Sequence, residues 1–186
     1  MSRQFYVSTR KGLFCFDGSQ LTGSWFVGDP VPMMTRDPGD GALYVSLNHG
    51  HFGHKMHRSD DDGQTWIEIS PPAYPSPPEG RAADLCPIRG IEIPWELEMV
   101  WALEADGQGM IWCGTLPGGL FKSTDRGASW QLVESLWNKP ARSKWAGGGY
   151  DYPGIHSICI HPRNPAHVTV GVSCGGVWVT EDGGET

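Results

Sequence analysis

At 186 residues the chain has the length of one ordinary domain, and its 26 glycines and 15 prolines exclude a bundle of long helices. A formal net charge of −7 gives no general attraction to nucleic acid or to an anionic membrane, and nine tryptophans exclude disorder by supplying area to bury. No apolar run approaches the roughly 20 residues that span a bilayer, and residues 1–7 lack the apolar stretch of a secretory signal, so a cytoplasmic location is expected.

Taken in chain order, short strands are expected at residues 4–8, 12–16 and 24–27. The next strands fall between Val31 and Ile69, and later runs include Met99-Val100-Trp101-Ala102-Leu103 and Met110-Ile111-Trp112-Cys113-Gly114. Glycine pairs then open Leu120-Phe121-Lys122 and Val177-Trp178-Val179, after the runs Gly154 to Ile160 and His167 to Gly171. A motif recurs three times: Ser59-x-Asp61-x-Gly63-x-Thr65-Trp66, Ser123-x-Asp125-x-Gly127-x-Ser129-Trp130, and Thr180-x-Asp182-x-Gly184-x-Thr186. Asp and Gly at this offset suit a tight turn in which the carboxylate accepts backbone N–H groups and Gly takes positive φ. Four short strands (A to D) per unit of about 60 residues, with the Asp turn joining C to D, is the pattern of a propeller blade.

The expected fold is therefore all-β: a partial β-propeller of about four four-stranded antiparallel blades, near 4–28, 31–69, 98–133 and 154–186, forming one unit over 1–186. The first blade is expected to hold strands B to D and the last A to C. On that reading the chain is about half of a six- or seven-bladed propeller, and its open blade faces are expected to self-associate. A short helical turn is expected near Pro140 to Trp145. The five cysteines are scattered, with no Cys-x-x-Cys, and are expected to be reduced and mostly buried.

The three motifs resemble Asp-boxes, the signature of BNR-repeat propellers, a group that includes sialidases, xyloglucanases, sortilin-type receptors and photosystem assembly factors. Three further segments resemble bacterial BNR-repeat proteins described as sialidase-like or glycosyl-hydrolase-like. They are Thr9-Arg10-Lys11-Gly12-Leu13-Phe14, Leu47-Asn48-His49-Gly50-His51, and Gly147-Gly148-Gly149-Tyr150 onward to His156. The resemblance implies the fold and leaves function open, because the group mixes enzymes, receptors and scaffolds.

In a propeller the B–C and D–A loops share one face and the Asp turns lie on the other. The turn acids are therefore read as structural, and Arg58 stands where a calcium loop needs its first acid. The B–C loops offer Arg10 and Lys11, then His49, His51 and His54. These histidines are candidate metal ligands, a polar binding rim, or loop packing; no metal or other cofactor is assigned. The D–A loop before the last blade offers Trp137, Arg142, Trp145, Tyr150, Asp151 and His156. Trp145 and Tyr150 would stack on a sugar ring, with Asp151 and His156 as polar contacts or acid and base; the alternative is that the aromatics plug the axial channel. The preceding D–A loop, with Arg81, Arg89, Trp95 and Glu96, would reach the same face.

A sialidase mechanism is disfavoured because Tyr150 has no assignable Glu partner and the family's Arg-Ile-Pro motif is missing. Gly171-Val172-Ser173-Cys174-Gly175 matches a nucleophile elbow but joins two strands, and Leu120 stands where a phosphate loop needs Lys. The reading favours a scaffold that binds a small-molecule or carbohydrate ligand, or a protein partner, on the B–C/D–A face. The alternative is a glycoside hydrolase using Asp151 and Glu96, with His156 as a further candidate.

Overall fold

A run such as Ile111-Trp112-Cys113-Gly114-Thr115-Leu116 has no polar alternation, so as a strand it needs cover on both faces. The computed structural model describes residues 4–80 and 82–186, apart from the His51 side chain. Among these residues β1 (Gln4–Thr9), β2 (Gly12–Asp17) and β3 (Gln20–Trp25) form the first antiparallel sheet. The second holds β4 (Met33–Arg36), β5 (Leu43–Asn48), β6 (His54–Ser59) and β7 (Ile67–Ile69). The third holds β8 (Met99–Ala105), β9 (Ile111–Leu116), β10 (Leu120–Ser123) and β11 (Gln131–Leu132). The fourth holds β12 (Ile155–His161), β13 (Asn164–Val172) and β14 (Gly176–Thr180).

Each sheet is a meander, and β8 lies between β4 on one side and β12 on the other, so the leading strands of these three sheets face one another. The molecule is nearly all β, a partial β-propeller. The strands β5 and β9 are buried almost throughout because the second and third sheets have a neighbour on each side. Apolar clusters fill each interval. Leu13, Val45 and Leu47 lie between sheets one and two, Tyr44, Met56, Leu103 and Phe121 between two and three, and Trp112, Leu120, Val168 and Val170 between three and four. At Gly114 a Cβ would meet Ile155 Cγ2 at 2.6 Å and Ile155 O at 2.7 Å, so this close approach of sheets three and four needs glycine. The outer faces of the end sheets leave Phe5, Val7, Val177 and Val179 exposed.

The helical turn expected near Pro140 is present as a 3-10 turn over Pro140–Lys144; a four-residue helix α1 (Glu134–Trp137) before it was not expected. Among the described residues no helix is long and apolar enough to cross a membrane. All five cysteines are free: Cys15, Cys86 and Cys113 are buried, while Cys159 and Cys174 are exposed.

The three Asp turns share one set of hydrogen bonds. Asp61 accepts from Ser59 Oγ (2.8 Å), Thr65 N–H (2.8 Å) and Thr65 Oγ1 (2.7 Å), and Gly63 N–H donates to Ser59 Oγ (2.8 Å). Asp125 and Asp182 repeat the pattern with Ser123 and Ser129, and with Thr180 and Thr186. Positive φ is taken by the glycine and also by the residue before it, Asp62, Arg126 or Gly183. Between turns, Arg126 reaches Asp60 (2.7 Å) and Asp40 (2.9 Å), tying blade three to blade two.

The hydroxyl and N–H of Ser129, then Ser123, hold the Asp125 carboxyl down at about 2, against an ordinary value of 3.8. A depressed carboxylate gives stability that is complete above its unfolded value and is lost as pH falls through its folded one. Thermal unfolding followed between about pH 4 and pH 2 is therefore expected to lose stability through Asp125, and to lose less in Asp125→Asn. An equal acid loss in that variant contradicts the assignment.

Candidate functional site

The end of the propeller opposite the Asp turns is built by two irregularities. The pairing of β8 with β9 breaks between Val100 and Ala102, leaving Trp101 as an extra residue. The pairing of β12 with β13 breaks in the same way between Ile155 and Ser157, leaving His156. A bulge re-aims its side chain, and it does so here on the first strand of two neighbouring blades. The Trp101 ring meets Tyr150 edge-on at 5.1 Å and His156 at 5.9 Å. Gly154 makes this possible: any Cβ there would collide with the Trp101 indole. Tyr150 is 45% exposed, and His156 Nδ1 lies 2.7 Å from Ser157 Oγ.

Beside this aromatic trio lies a charged rim. Asp151 pairs with Arg89 across the two D–A loops. Burial raises the phenol of Tyr152, and the neighbouring charges of Glu98, Asp151 and Glu96 raise it further. The same burial effect lowers the His54 imidazole below its ordinary value, against the opposing pull of Glu98 and Glu96. Thus Glu96 and Glu98 before β8 lie within electrostatic reach both of His54 from the second blade and of Tyr152 before β12, with Asp151 also acting on Tyr152.

The other expected residues lie apart. Arg10 lines a shallow concavity between the first two blades with Asp29, Asn48, His49 and Phe52, while Lys11 is exposed on the β1–β2 turn. His49 Nδ1 stands 3.6 Å from Asp29, and its buried Nε2 has no hydrogen-bond partner among the described residues. The His51 side chain and Arg81 lie outside the described residues. His49 thus faces Asp29 and His54 faces the rim glutamates. Among the described residues no three His, Cys, Asp or Glu side chains are placed to hold a metal ion.

One expectation is corrected. Trp145 is 2% exposed and packs on Trp178 at 5.5 Å inside the core between blades three and four, so it has no surface on which a sugar ring could stack. An indole flanked by valines gains more from burial than from solvent contact. Arg142 is also drawn in: it lies over the Trp137 ring at 3.6 Å and donates to Asp84 at 2.6 Å. Ser173, at the centre of the Gly-x-Ser-x-Gly match, accepts the Gly154 N–H at 3.0 Å in a strand-to-strand turn. Trp101, Glu98 and Tyr152 are site residues that the sequence did not single out.

No family model and no curated protein matches this sequence. Among solved structures, the chain is similar to the GH74 xyloglucanase from Xanthomonas campestris, with 20% identity and a TM-score of 0.66 over 100% of this chain and 28% of that one. It is also similar to YCF48 bound to D1 peptide, with 16% identity and a TM-score of 0.57 over 94% of this chain and 45% of that one. The chain spans less than half the length of either. At these identities the likeness is one of fold, and that fold is the β-propeller.

Proposed function

We propose that the chain is a BNR-repeat, Asp-box propeller that serves as a binding scaffold, taking a carbohydrate or peptide ligand on the face of Trp101, Tyr150 and His156. The observation that supports this reading is the pair of bulges, which bring the Trp101 ring against Tyr150 and, from the next blade, the His156 ring against Trp101. Partly exposed rings flanked by a few acceptors are what a sugar or an extended peptide requires. The repeated Asp turns support the family reading, and the two similar structures, a xyloglucanase and a peptide-bound YCF48, support the breadth of ligand class. Arg89 engages Asp151, which suits an oriented acceptor better than a proton donor.

A second reading, glycoside hydrolysis through Asp151 and Glu96, is favoured by one observation: both charges act on Tyr152. It requires two carboxyl groups about 5–9.5 Å apart across a scissile bond.

The test is a panel of xyloglucan and other oligosaccharides and extended peptides, assayed for binding and for glycoside release. Tyr150→Ala and Trp101→Leu are expected to weaken the best ligand at least about tenfold, the loss of one stacked ring. Unchanged affinity in both folded variants places binding elsewhere, and hydrolysis lost in Asp151→Asn overturns the scaffold reading.

A further inference from the structure

The same turn positions face each other in two successive intervals between blades. Between blades two and three, Arg126, the residue after Asp125, crosses to Asp60 (2.7 Å) and Asp40 (2.9 Å), and Arg58 donates to the Arg126 carbonyl at 3.2 Å. Between blades three and four the frame is kept: Lys122, in the place of Arg58, donates to the Gly183 carbonyl at 3.0 Å. The guanidinium and its two acids are replaced. Gly183 stands in the place of Arg126 and Thr124 in that of Asp60. Gln108, in Gly107-Gln108-Gly109, stands in that of Asp40, in Gly39-Asp40-Gly41.

All three replacements line a groove of about 470 Å³ between blades three and four, at the Asp-turn end. Gln108 and Thr124 each keep an oxygen acceptor but give up the charge. Charge returns on the same walls from Asp106, Asp182 and Glu185, set against Lys122. Glu185 holds Lys122 at 2.8 Å, and Asp182 is engaged by its own turn. Asp106 accepts the Gln108 and Met110 N–H groups on Oδ1 (2.7 and 3.0 Å), and among the described residues its Oδ2 has no partner. In blade three the residues after the turn lead away from Asp40 and Asp60, Trp130 to Ser70 O and Gln131 onto β10. The equivalent place between blades three and four is therefore bounded by the turns themselves.

We propose that this groove is a guanidinium site, which seats from outside the kind of group that Arg126 supplies from within the chain one interval earlier. Gln108 Oε1, Thr124 Oγ1 and Asp106 Oδ2 are its acceptors. Several oxygens with one charge among them suit the planar fork of N–H donors of a guanidinium better than the point charge of an ammonium. The site lies at the opposite end of the blades from the aromatic face and does not depend on its role.

The probe is L-argininamide, titrated into the full chain and followed by backbone amide shifts, with L-lysinamide as the control. Saturable shifts are expected at residues 106–110 and 182–184, with argininamide at least about threefold tighter than lysinamide. Gly183→Arg is expected to abolish them by filling the groove from within. A Cβ on Gly183 meets nothing within 4 Å, and Arg126 already holds φ 62° at the equivalent position, against 73° for Gly183. Thr124→Asp, which restores the acid of blade two, is expected to tighten binding at least about threefold. An acetyl-Gly-Arg-Gly amide that binds more tightly than argininamide identifies the source as an arginine of a partner chain, and one that binds less tightly identifies a free small molecule. Absence of saturable binding, equal affinity for lysinamide, or binding unchanged in Gly183→Arg overturns the proposal.

Discussion

Trp112→Ala is expected to lower the unfolding free energy by about 3–5 kcal/mol. The side chain is fully buried in β9, in the cluster that holds blade three to blade four. Its ring also lies under the Asp182 turn: a Cβ on Gly184 would stand 3.3 Å from Trp112 Cη2. Truncation therefore opens a cavity that two blades and a turn would have to collapse to fill. Because Trp112 Nε1 has no hydrogen-bond partner among the described residues, Trp112→Phe leaves no partner unpaired and is expected to recover more than half of the loss. Urea denaturation checks this through a fall in midpoint at unchanged slope. A loss in Trp112→Ala below about 1 kcal/mol, the level of a surface substitution, contradicts the packing described.

Arg142→Met is the second large effect, at about 3 kcal/mol, the lower end for breaking a buried ion pair because Asp84 keeps some solvent contact. The guanidinium joins the two D–A segments. It donates to Asp84 in one, donates through Nε to Trp137 O at 2.9 Å in the other, and covers the Trp137 ring. Asp84 in turn accepts from Trp95 Nε1 at 3.2 Å, next to Glu96. Loosening this clamp is expected to free residues 82–98 and 133–154, which carry Glu96, Glu98, Tyr150 and Asp151. Hydrogen exchange over those segments measures it. Faster exchange is expected there in Arg142→Met, and exchange confined to the 3-10 turn would show that Arg142 holds only its own loop.

The parts of the fold legible in the sequence are those set by neighbours along the chain. Ser59, Asp61, Gly63 and Thr65 close their turn among themselves, so their recurrence marks three of the four blades and the strands on either side. The site was legible only in outline. Tyr150, Asp151 and His156 were singled out because a glycine-rich loop runs into a strand. Trp101 was not, because Met99-Val100-Trp101-Ala102-Leu103 reads as an unbroken apolar run and a bulge leaves no mark in it. Trp145 was misplaced for the opposite reason: the residues that bury it, Trp178 and Gly175, lie some thirty positions later. The meeting of His54 with Glu98 likewise depends on how two blades face each other, which no local pattern encodes.

The proposed ligand site is the bulged aromatic face of Trp101, Tyr150 and His156. Indole ¹⁵N–¹H spectra of the full chain, with its nine tryptophans assigned by substitution, test it most directly when titrated with the strongest binder from the panel. Trp101 is expected to shift most, while the buried Trp112 and Trp145 stay in place. Shifts centred on Trp25 and Trp66, with Trp101 unmoved, would contradict the account and move the site to the first two blades.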